Sequence, residues 1–221
     1  YYGLCSFLDR QVGAVIDAMR RAGLEKDTIV VYCSDHGEAL GEHGMWWKST
    51  FYDGSCRVPL IISWPGRLPA GIMRPENVSL MDIGSTLLDL ACLDPLPGAS
   101  GRSLCGLMDH GPAGWDDTAF AEFAERGSPL ACRMLRSGHW KYNYYRGMRP
   151  ELFNLQDDPS EKNNLSGKPR YAAVEASLRE LVLRDWNPEH VSKYMERRNS
   201  ELSLIGKWVE AANPPEPDPL W

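Results

Sequence analysis

A strand that runs directly into a polar, glycine-rich loop constrains this chain more than any other feature. Residues 28–33 are apolar and rich in β-branched side chains, a pattern typical of a buried strand. Asp35 and His36 follow almost at once, and Gly37 comes next. In open α/β sheets, ligands bind in the crevice outside the carboxyl ends of the strands. The sequence therefore predicts a strand end at which a carboxylate and an imidazole bind a metal ion or an anion.

The elements around this loop indicate the fold class. Apolar residues recur at helical spacing near the start of the chain, at Leu4, Leu8, Val12, Val15 and Met19. Gly23 is placed to end that helix. Residues 58–64 predict a second strand, and residues 81–93 predict a second helix. Because helix, strand, loop, strand and helix follow in this order, we expect part of a parallel α/β sheet.

The character of the chain changes after Asp94. Residues 94–117 are rich in Pro, Gly, Asp and Ser and predict a surface excursion. Turn signals then separate four short predicted strands, at 118–122, 132–136, 140–145 and 151–155. Residues 171–186 predict a helix that packs on this small antiparallel sheet, and a further helix leads to a Pro-rich tail at 213–221. We therefore expect two domains, residues 1–93 and residues 94–221.

Charge and hydropathy exclude some classes of partner. The net charge is −6, so the chain lacks the basic footprint of a nucleic-acid-binding protein. Apolar runs such as residues 58–62 are far too short to cross a bilayer, so we expect no membrane partner. The chain begins at Tyr1 without an initiating Met and already inside a helical pattern, so we expect a fragment or a processed form.

The cysteines indicate whether the chain occupies a reducing or an oxidising compartment. The chain has six, with no C-x-x-C pair and no zinc-ligand spacing, at positions 5, 33, 56, 92, 105 and 132. Cys33 and Cys92 lie in apolar stretches, so we expect buried thiols there. This favours a reducing, cytoplasmic location. The even number leaves a periplasmic or secreted form with disulfides open.

Longer motifs occur in an order that extends over nearly the whole chain. They are T-I-V-V-Y-C-S-D-H-G-E-A-L-G-E-H-G-M-W-W-K (28–48), Y-D-G-S-C-R-V-P-L-I-I (52–62), W-P-G (64–66), M-D-I-G-S-T-L-L-D-L-A (81–91), G-H-W-K-Y (138–142) and E-L-F-N-L-Q-D-D-P-S-E-K-N-N-L (151–165). In these motifs the chain resembles the C-terminal half of a sulfatase of the alkaline phosphatase superfamily. Many sulfatases carry Asp-Asn where this chain has Asp-His, and this difference and the long tail resemble the choline-sulfatase and phosphonate monoester hydrolase branch.

The resemblance implies a fold and roles for four residues. The fold is the C-terminal part of an alkaline-phosphatase-like α/β sandwich, with a small antiparallel sheet and a packed helix after the main-sheet elements. Asp35 and His36 are implied ligands of a divalent metal, Ca²⁺ or alternatively Mn²⁺; an imidazole nitrogen suits Mn²⁺ better. Lys48 is implied to contact the sulfuryl oxygens, where an ammonium stabilises charge in the transition state. His43 is a candidate leaving-group acid or a structural loop residue.

Plainer interpretations exist for several of these residues. An Asp-His pair after a strand also caps turns, and a loop lysine such as Lys48 is often only solvated. Glu38 and Glu42 are expected to support the loop. Trp46 and Trp47 either shape a pocket for an organic group or simply pack. Residues 139–141 are expected to be structural residues of the small sheet.

The nucleophile of the resembled family is a formylglycine made from a Cys or Ser in a C/S-x-P/A-x-R motif. No cysteine of this chain fits that pattern, and the nearest match, Cys132 to Arg136, has Met134 in place of Pro or Ala. We therefore expect the nucleophile and the remaining metal-binding aspartates in an N-terminal half outside this chain. The 221 residues alone are predicted to be inactive.

Three functions remain open on the sequence. The first is hydrolysis of a small sulfate ester by the full-length protein. The second is hydrolysis of a phosphonate or phosphate ester, because the same Asp-His-Lys set serves both anions. The third is a catalytically silent module for binding or oligomerisation, which the joint retention of Asp35, His36 and Lys48 argues against. Two alternatives stay open for the Pro-rich tail: it is disordered, or it lies across a neighbouring subunit of a homo-oligomer, as in oligomeric relatives.

Overall fold

The computed structural model describes residues 1–123, 128 and 130–213. In chain order the helices and strands are α1 (Tyr2–Arg21), β1 (Val30–Cys33), α2 (Asp53–Cys56), β2 (Leu60–Ser63), α3 (Met81–Leu90), α4 (Cys105–His110), β3 (Thr118–Phe123), β4 (Cys132–Ser137), β5 (Trp140–Tyr145), β6 (Glu151–Asn154), α5 (Ala172–Leu183) and α6 (Pro188–Ala212). In this described part, no helix is both long enough and apolar enough to span a bilayer. The Pro-rich tail, and with it the predicted contact across a subunit, lies outside the described residues from 214 onward.

The described residues form two compact units, and each unit combines two segments that are separate along the chain. The first comprises residues 1–37 and 57–116, and the second comprises residues 38–56 and the chain from Asp117 onward. This division differs from the predicted boundary between residues 93 and 94. Residues 94–116 stay with the first unit because they bond to α3: Asp82 accepts the Arg102 N–H at 2.8 Å, and Thr86 accepts the Leu104 N–H at 2.9 Å. Short helix α4 lies within the predicted excursion.

Strands β1 and β2 pair in an antiparallel direction, and the predicted parallel pairing is wrong. Val30 lies opposite Ser63, and Cys33 lies opposite Leu60. A parallel pair needs a crossover, usually made by a helix of several turns. The connection between these strands contains no such helix, only the four-residue α2 and a turn of 3₁₀ helix.

Exposure in the first unit also differs from the expectation. Helix α1 ends where Gly23 predicts, and Gly23 adopts φ +70°. Within the part of the chain that the structure describes, however, no side chain of α1 is buried, and Leu4 is 73% exposed. Cys33 and Cys92 are exposed rather than buried. Cys33 ends a strand that has one neighbour, and Cys92 lies just beyond the end of α3, so neither is enclosed.

The second unit contains the predicted antiparallel sheet, in the order β3-β4-β5-β6. Helix α5 packs on β4 and β5, as the sequence predicts. Helix α6 begins at an Asn-Pro signal: the Asn187 side chain accepts the N–H groups of Glu189 and His190 at 2.9 and 3.1 Å. The main core lies between sheet and helix and consists of Leu135, Tyr142, Leu152, Leu178 and Val182.

This core predicts the effect of shortening one of its side chains. Leu135 is fully buried, so its replacement by alanine leaves a cavity as well as losing the burial of its side chain. We expect Leu135→Ala to lower the free energy of unfolding of the full chain by about 2–5 kcal/mol. Urea denaturation measures this. The matched change Leu204→Ala, at a side chain that is 69% exposed, is expected to alter it by less than about 0.5 kcal/mol. Equal effects would contradict the described core.

Candidate metal site and anion-binding segment

Asp35 and His36 lie in a tight turn after β1. The Ser34 hydroxyl donates to the His36 carbonyl at 2.8 Å, and the His36 N–H donates to Asp35 Oδ1 at 3.0 Å. Nδ1 of the imidazole lies 2.8 Å from the Gly37 carbonyl, and Nε2 lies 3.3 Å from Asp35 Oδ2. The turn therefore places a carboxylate oxygen and a ring nitrogen side by side.

The bond to Gly37 determines which ring nitrogen is available as a ligand. A carbonyl only accepts hydrogen bonds, so Nδ1 must carry the proton. In the neutral ring, Nε2 then presents its lone pair toward the Asp35 carboxylate, and a cation shared by the two atoms satisfies both. A ring N–H bonded to a carbonyl is also the usual support of a histidine that binds a metal. The chemistry of this pair fits a divalent ion.

Two side chains do not by themselves make a complete coordination shell. The Asp35 side chain is 84% exposed and that of His36 is 37% exposed, so both donors are accessible. Among the residues that the structure describes, no group of three or more His, Cys, Asp or Glu side chains is arranged to hold a metal ion. Ca²⁺ takes about six to eight oxygen ligands, so Asp35 and His36 need further donors.

His43 and Lys48 belong to the second unit, because residues 38–56 pack with the C-terminal sheet. This segment, which we call the lysine loop, folds back on itself. The Ala39 N–H donates to the Trp47 carbonyl at 2.8 Å, and the Gly41 N–H donates to the Met45 carbonyl at 2.8 Å. Glu38 accepts the Trp47 N–H through its side chain, which is the supporting role expected of it. Lys48 is therefore carried by an internally bonded loop and is exposed.

His43 stacks on Tyr52, with 3.7 Å between ring centroids and 6° between ring planes. The Tyr52 hydroxyl donates to Glu151 at 3.1 Å. Burial, reinforced by the charge of Glu151, raises the pKa of Tyr52 to about 12, so this hydroxyl stays protonated at neutral pH. The stacking gives His43 a structural contact. Its role as a leaving-group acid stays a prediction. The adjacent Trp46 and Trp47 are 66% and 76% exposed.

A buried cluster of charges at the far end of the lysine loop was missed by sequence reasoning. Lys141 is fully buried, and its Nζ lies 2.6 Å from Asp53 Oδ1 and 2.5 Å from Glu161 Oε1. Burial alone lowers the pKa of Lys141, but the nearby Cys56 and the two carboxylates outweigh it, so the pKa is raised. The available signal was the position of Lys141 and Glu161 inside two of the quoted motifs, G-H-W-K-Y and E-L-F-N-L-Q-D-D-P-S-E-K-N-N-L.

One serine of the chain matches the residue pattern of the nucleophile motif. Ser63-Trp-Pro-Gly-Arg67 has the form S-x-P-x-R. Ser63, however, lies opposite Val30, at the start of β1, while Asp35 and His36 follow the end of β1. A strand advances about 3.4 Å per residue, so three residues place Ser63 about 10 Å from the strand end at Cys33. This arrangement does not bring Ser63 to Asp35 and His36.

Comparison with solved structures identifies the fold class. The chain is similar to the solved structure of the phosphonate monoester hydrolase of Agrobacterium radiobacter, with a TM-score of 0.75 and 33% sequence identity, over 83% of this chain and 40% of that chain. This likeness confirms the predicted fold class, the C-terminal part of an alkaline-phosphatase-like α/β fold with a small antiparallel sheet.

The family follows from the sequence comparisons. The model for the C-terminal part of N-sulphoglucosamine sulphohydrolase matches residues 41–187. The chain therefore belongs to this sulfatase family, as its motifs predict. It is 36% identical to the choline-sulfatase of Rhizobium meliloti (strain 1021), over 86% of this chain and 36% of that protein. It is 34% identical to arylsulfatase K of Rattus norvegicus, over 96% of this chain and 39% of that protein. The chain thus spans less than half the length of these relatives.

Proposed function

We propose that the complete protein hydrolyses small sulfate esters, with Asp35 and His36 as ligands of a divalent metal and Lys48 as the cation that binds the transferred group. The observation that carries this proposal is the His36 imidazole, held by the Gly37 carbonyl at 2.8 Å with Nε2 3.3 Å from Asp35 Oδ2. Membership of the sulfatase family and the choline-sulfatase and arylsulfatase relatives support the choice of sulfate.

Each residue has a defined task in this proposal. Lys48 places a compact ammonium against the oxygens of the anion and stabilises the charge that develops as the ester bond breaks. When bound, the metal supplies Lewis-acid polarisation of an anion oxygen. Asp35 and His36 hold the ion and keep their own orientation through the turn around Gly37. His43 is the proposed proton donor to the leaving group.

Part of the chemistry is assigned to residues outside this chain. No cysteine here lies in the C/S-x-P/A-x-R pattern, and the Ser63 match lies at the wrong end of β1. We propose that an N-terminal portion of the complete protein supplies a formylglycine nucleophile and the further metal ligands. The 221 residues alone are then inactive.

The proposed metal is Ca²⁺, with Mn²⁺ as the alternative. Asp35 offers a hard oxygen that suits either ion. The nitrogen of His36 favours Mn²⁺, because imidazole is a better ligand for transition metals than for Ca²⁺. Metal analysis of the purified complete protein distinguishes the two ions.

The reaction class is tested by the turnover of two chromogenic substrates. The complete protein should hydrolyse a nitrophenyl sulfate faster than a nitrophenyl phosphonate. Faster turnover of the phosphonate would reject sulfate and establish the second candidate, which the likeness to the phosphonate monoester hydrolase favours. Turnover of neither substrate by protein that holds its metal would point to a silent binding module.

A further inference from the structure

We propose that Lys141, Asp53 and Glu161 form a positioning clamp, which fixes the lysine loop and thereby sets the place of Lys48. Lys141 lies on β5, Asp53 begins α2 at the end of the lysine loop, and Glu161 follows β6. All three belong to the second unit. The inference rests on the proposed function, because it gives Lys141 an effect on catalysis only through Lys48.

The lysine loop needs external support, because its backbone is strained. Four of its non-glycine residues adopt the left-handed region: Leu40 (φ +52°), His43 (φ +53°), Trp47 (φ +74°) and Ser49 (φ +79°). Two of these flank Lys48 directly. Residues in such conformations persist only where the surrounding structure determines them, and they cluster at functional sites. The direction of the Lys48 side chain thus depends on what holds the ends of the loop.

Glu161 connects the loop to the sheet through both of its carboxylate oxygens. Oε1 accepts from Lys141 Nζ at 2.5 Å, and Oε2 accepts from the Asp53 backbone N–H at 2.6 Å. Glu161 is 4% exposed, and its own backbone is strained, with φ +52°. Such a conformation persists only where the surrounding structure determines it. An apolar residue here would leave the Asp53 N–H without its present acceptor.

Lys141 completes the clamp from the opposite direction. Its Nζ bonds to Asp53 Oδ1 at 2.6 Å, so Asp53 is held at its backbone by Glu161 and at its side chain by Lys141. Gly54 then allows close approach to the loop: a Cβ at this position would lie 3.0 Å from Glu42 Oε2 and 3.6 Å from Ala39 Cα. The end of the lysine loop is therefore fixed against both the sheet and the beginning of the same loop.

Arg133 offers a matched control on the neighbouring strand. It is another buried cation, but its hydrogen bonds run to the Val182 carbonyl at 3.1 Å and to Asp185 Oδ1 at 2.8 Å, at the end of α5. Lys141→Met and Arg133→Met thus both remove a buried charge from one sheet, and only the first also removes a bond to the lysine loop.

The first readout is hydrogen–deuterium exchange in the complete protein, which requires no activity. In Lys141→Met we expect faster exchange in residues 38–56, with β4 and β6 unchanged. In Arg133→Met we expect faster exchange near α5 with the lysine loop unchanged. Unchanged protection of residues 38–56 in Lys141→Met would overturn the clamp, and so would an equal loss over the whole sheet.

The second readout is catalysis. A displaced catalytic group costs on the order of 100-fold, so we expect Lys141→Met to lower kcat by about that factor with little change in KM. If Lys141 acts through Lys48, the double variant Lys141→Met, Lys48→Ala should have nearly the same kcat as Lys48→Ala alone. Arg133→Met should instead change kcat by the same factor in the wild type and in Lys48→Ala. Independent, multiplying effects of Lys141→Met and Lys48→Ala would overturn the inference. Full activity of Lys48→Ala would instead reject the proposed function.

One further variant covers the case in which Lys141→Met does not fold. Removing only the cation leaves the buried Glu161 and the partly buried Asp53 without it, whereas Lys141→Met with Asp53→Asn and Glu161→Gln removes all three charges together. This triple variant should fold and still exchange faster in residues 38–56. Wild-type protection and wild-type kcat in the triple variant would reject the clamp.

Discussion

Replacement of Lys48 by alanine in the complete protein is expected to lower kcat by about 10²- to 10³-fold, the loss typical of removing one electrostatic contact to a transition state. The side chain is exposed, so the global fold should survive. KM should change much less, because the ammonium acts mainly on charge that develops during the reaction. Steady-state kinetics on a nitrophenyl sulfate measures both constants.

The control for this prediction is Lys193→Ala, which removes an exposed lysine from helix α6. It should leave kcat and KM unchanged. If the Lys48 and Lys193 variants have the same kcat, Lys48 is only a solvated loop residue and the anion is bound elsewhere.

Replacement of Asp35 by alanine is expected to remove most of the bound metal and with it the activity. A metal acting as a Lewis acid contributes several kcal/mol, so loss of the ion should lower the rate by about 10³-fold or more. Metal content per protein molecule, measured by elemental analysis, tests this independently of turnover. Asp35→Asn keeps one oxygen donor without the charge and should fall between the wild type and Asp35→Ala.

Asp94→Ala is the matched control, because it removes an exposed carboxylate from the same unit. It should retain the full metal content. Equal metal in the Asp35 and Asp94 variants would show that Asp35 is not a ligand, and the Asp-His pair would then be a turn structure alone.

Local patterns predicted those parts of the fold that are set by neighbouring residues. The turn at Ser137-Gly138 and the alternating strands around it predicted the hairpin of β4 and β5, and the pairing of Ser137 with Trp140 confirms it. Gly23 predicted the end of α1 for a similarly local reason, its ease in the left-handed region. Asp35 and His36 lie in a turn after a strand, also as predicted.

The features that the sequence did not predict depend on distant residues. The direction in which β2 pairs with β1 depends on how the whole loop between them folds, and periodicity within β2 carries no information on that. The contact of Lys141 with Asp53 joins residues 88 positions apart, and the Asp53 bond to Glu161 joins residues 108 positions apart. A lysine in a strand gives no local sign that it will be buried between two carboxylates.

The discontinuous course of the second unit limits how sulfatases of this type can be recombined. A truncated protein that starts at Asp117 would keep β3 to β6 but would lack Asp53, one of the two carboxylates that neutralise the buried Lys141. Residues 38–56 and the C-terminal sheet therefore form one exchangeable block, although about 60 residues of the other unit separate them along the chain. Chimaeras that move the sheet between relatives should carry this short segment with it.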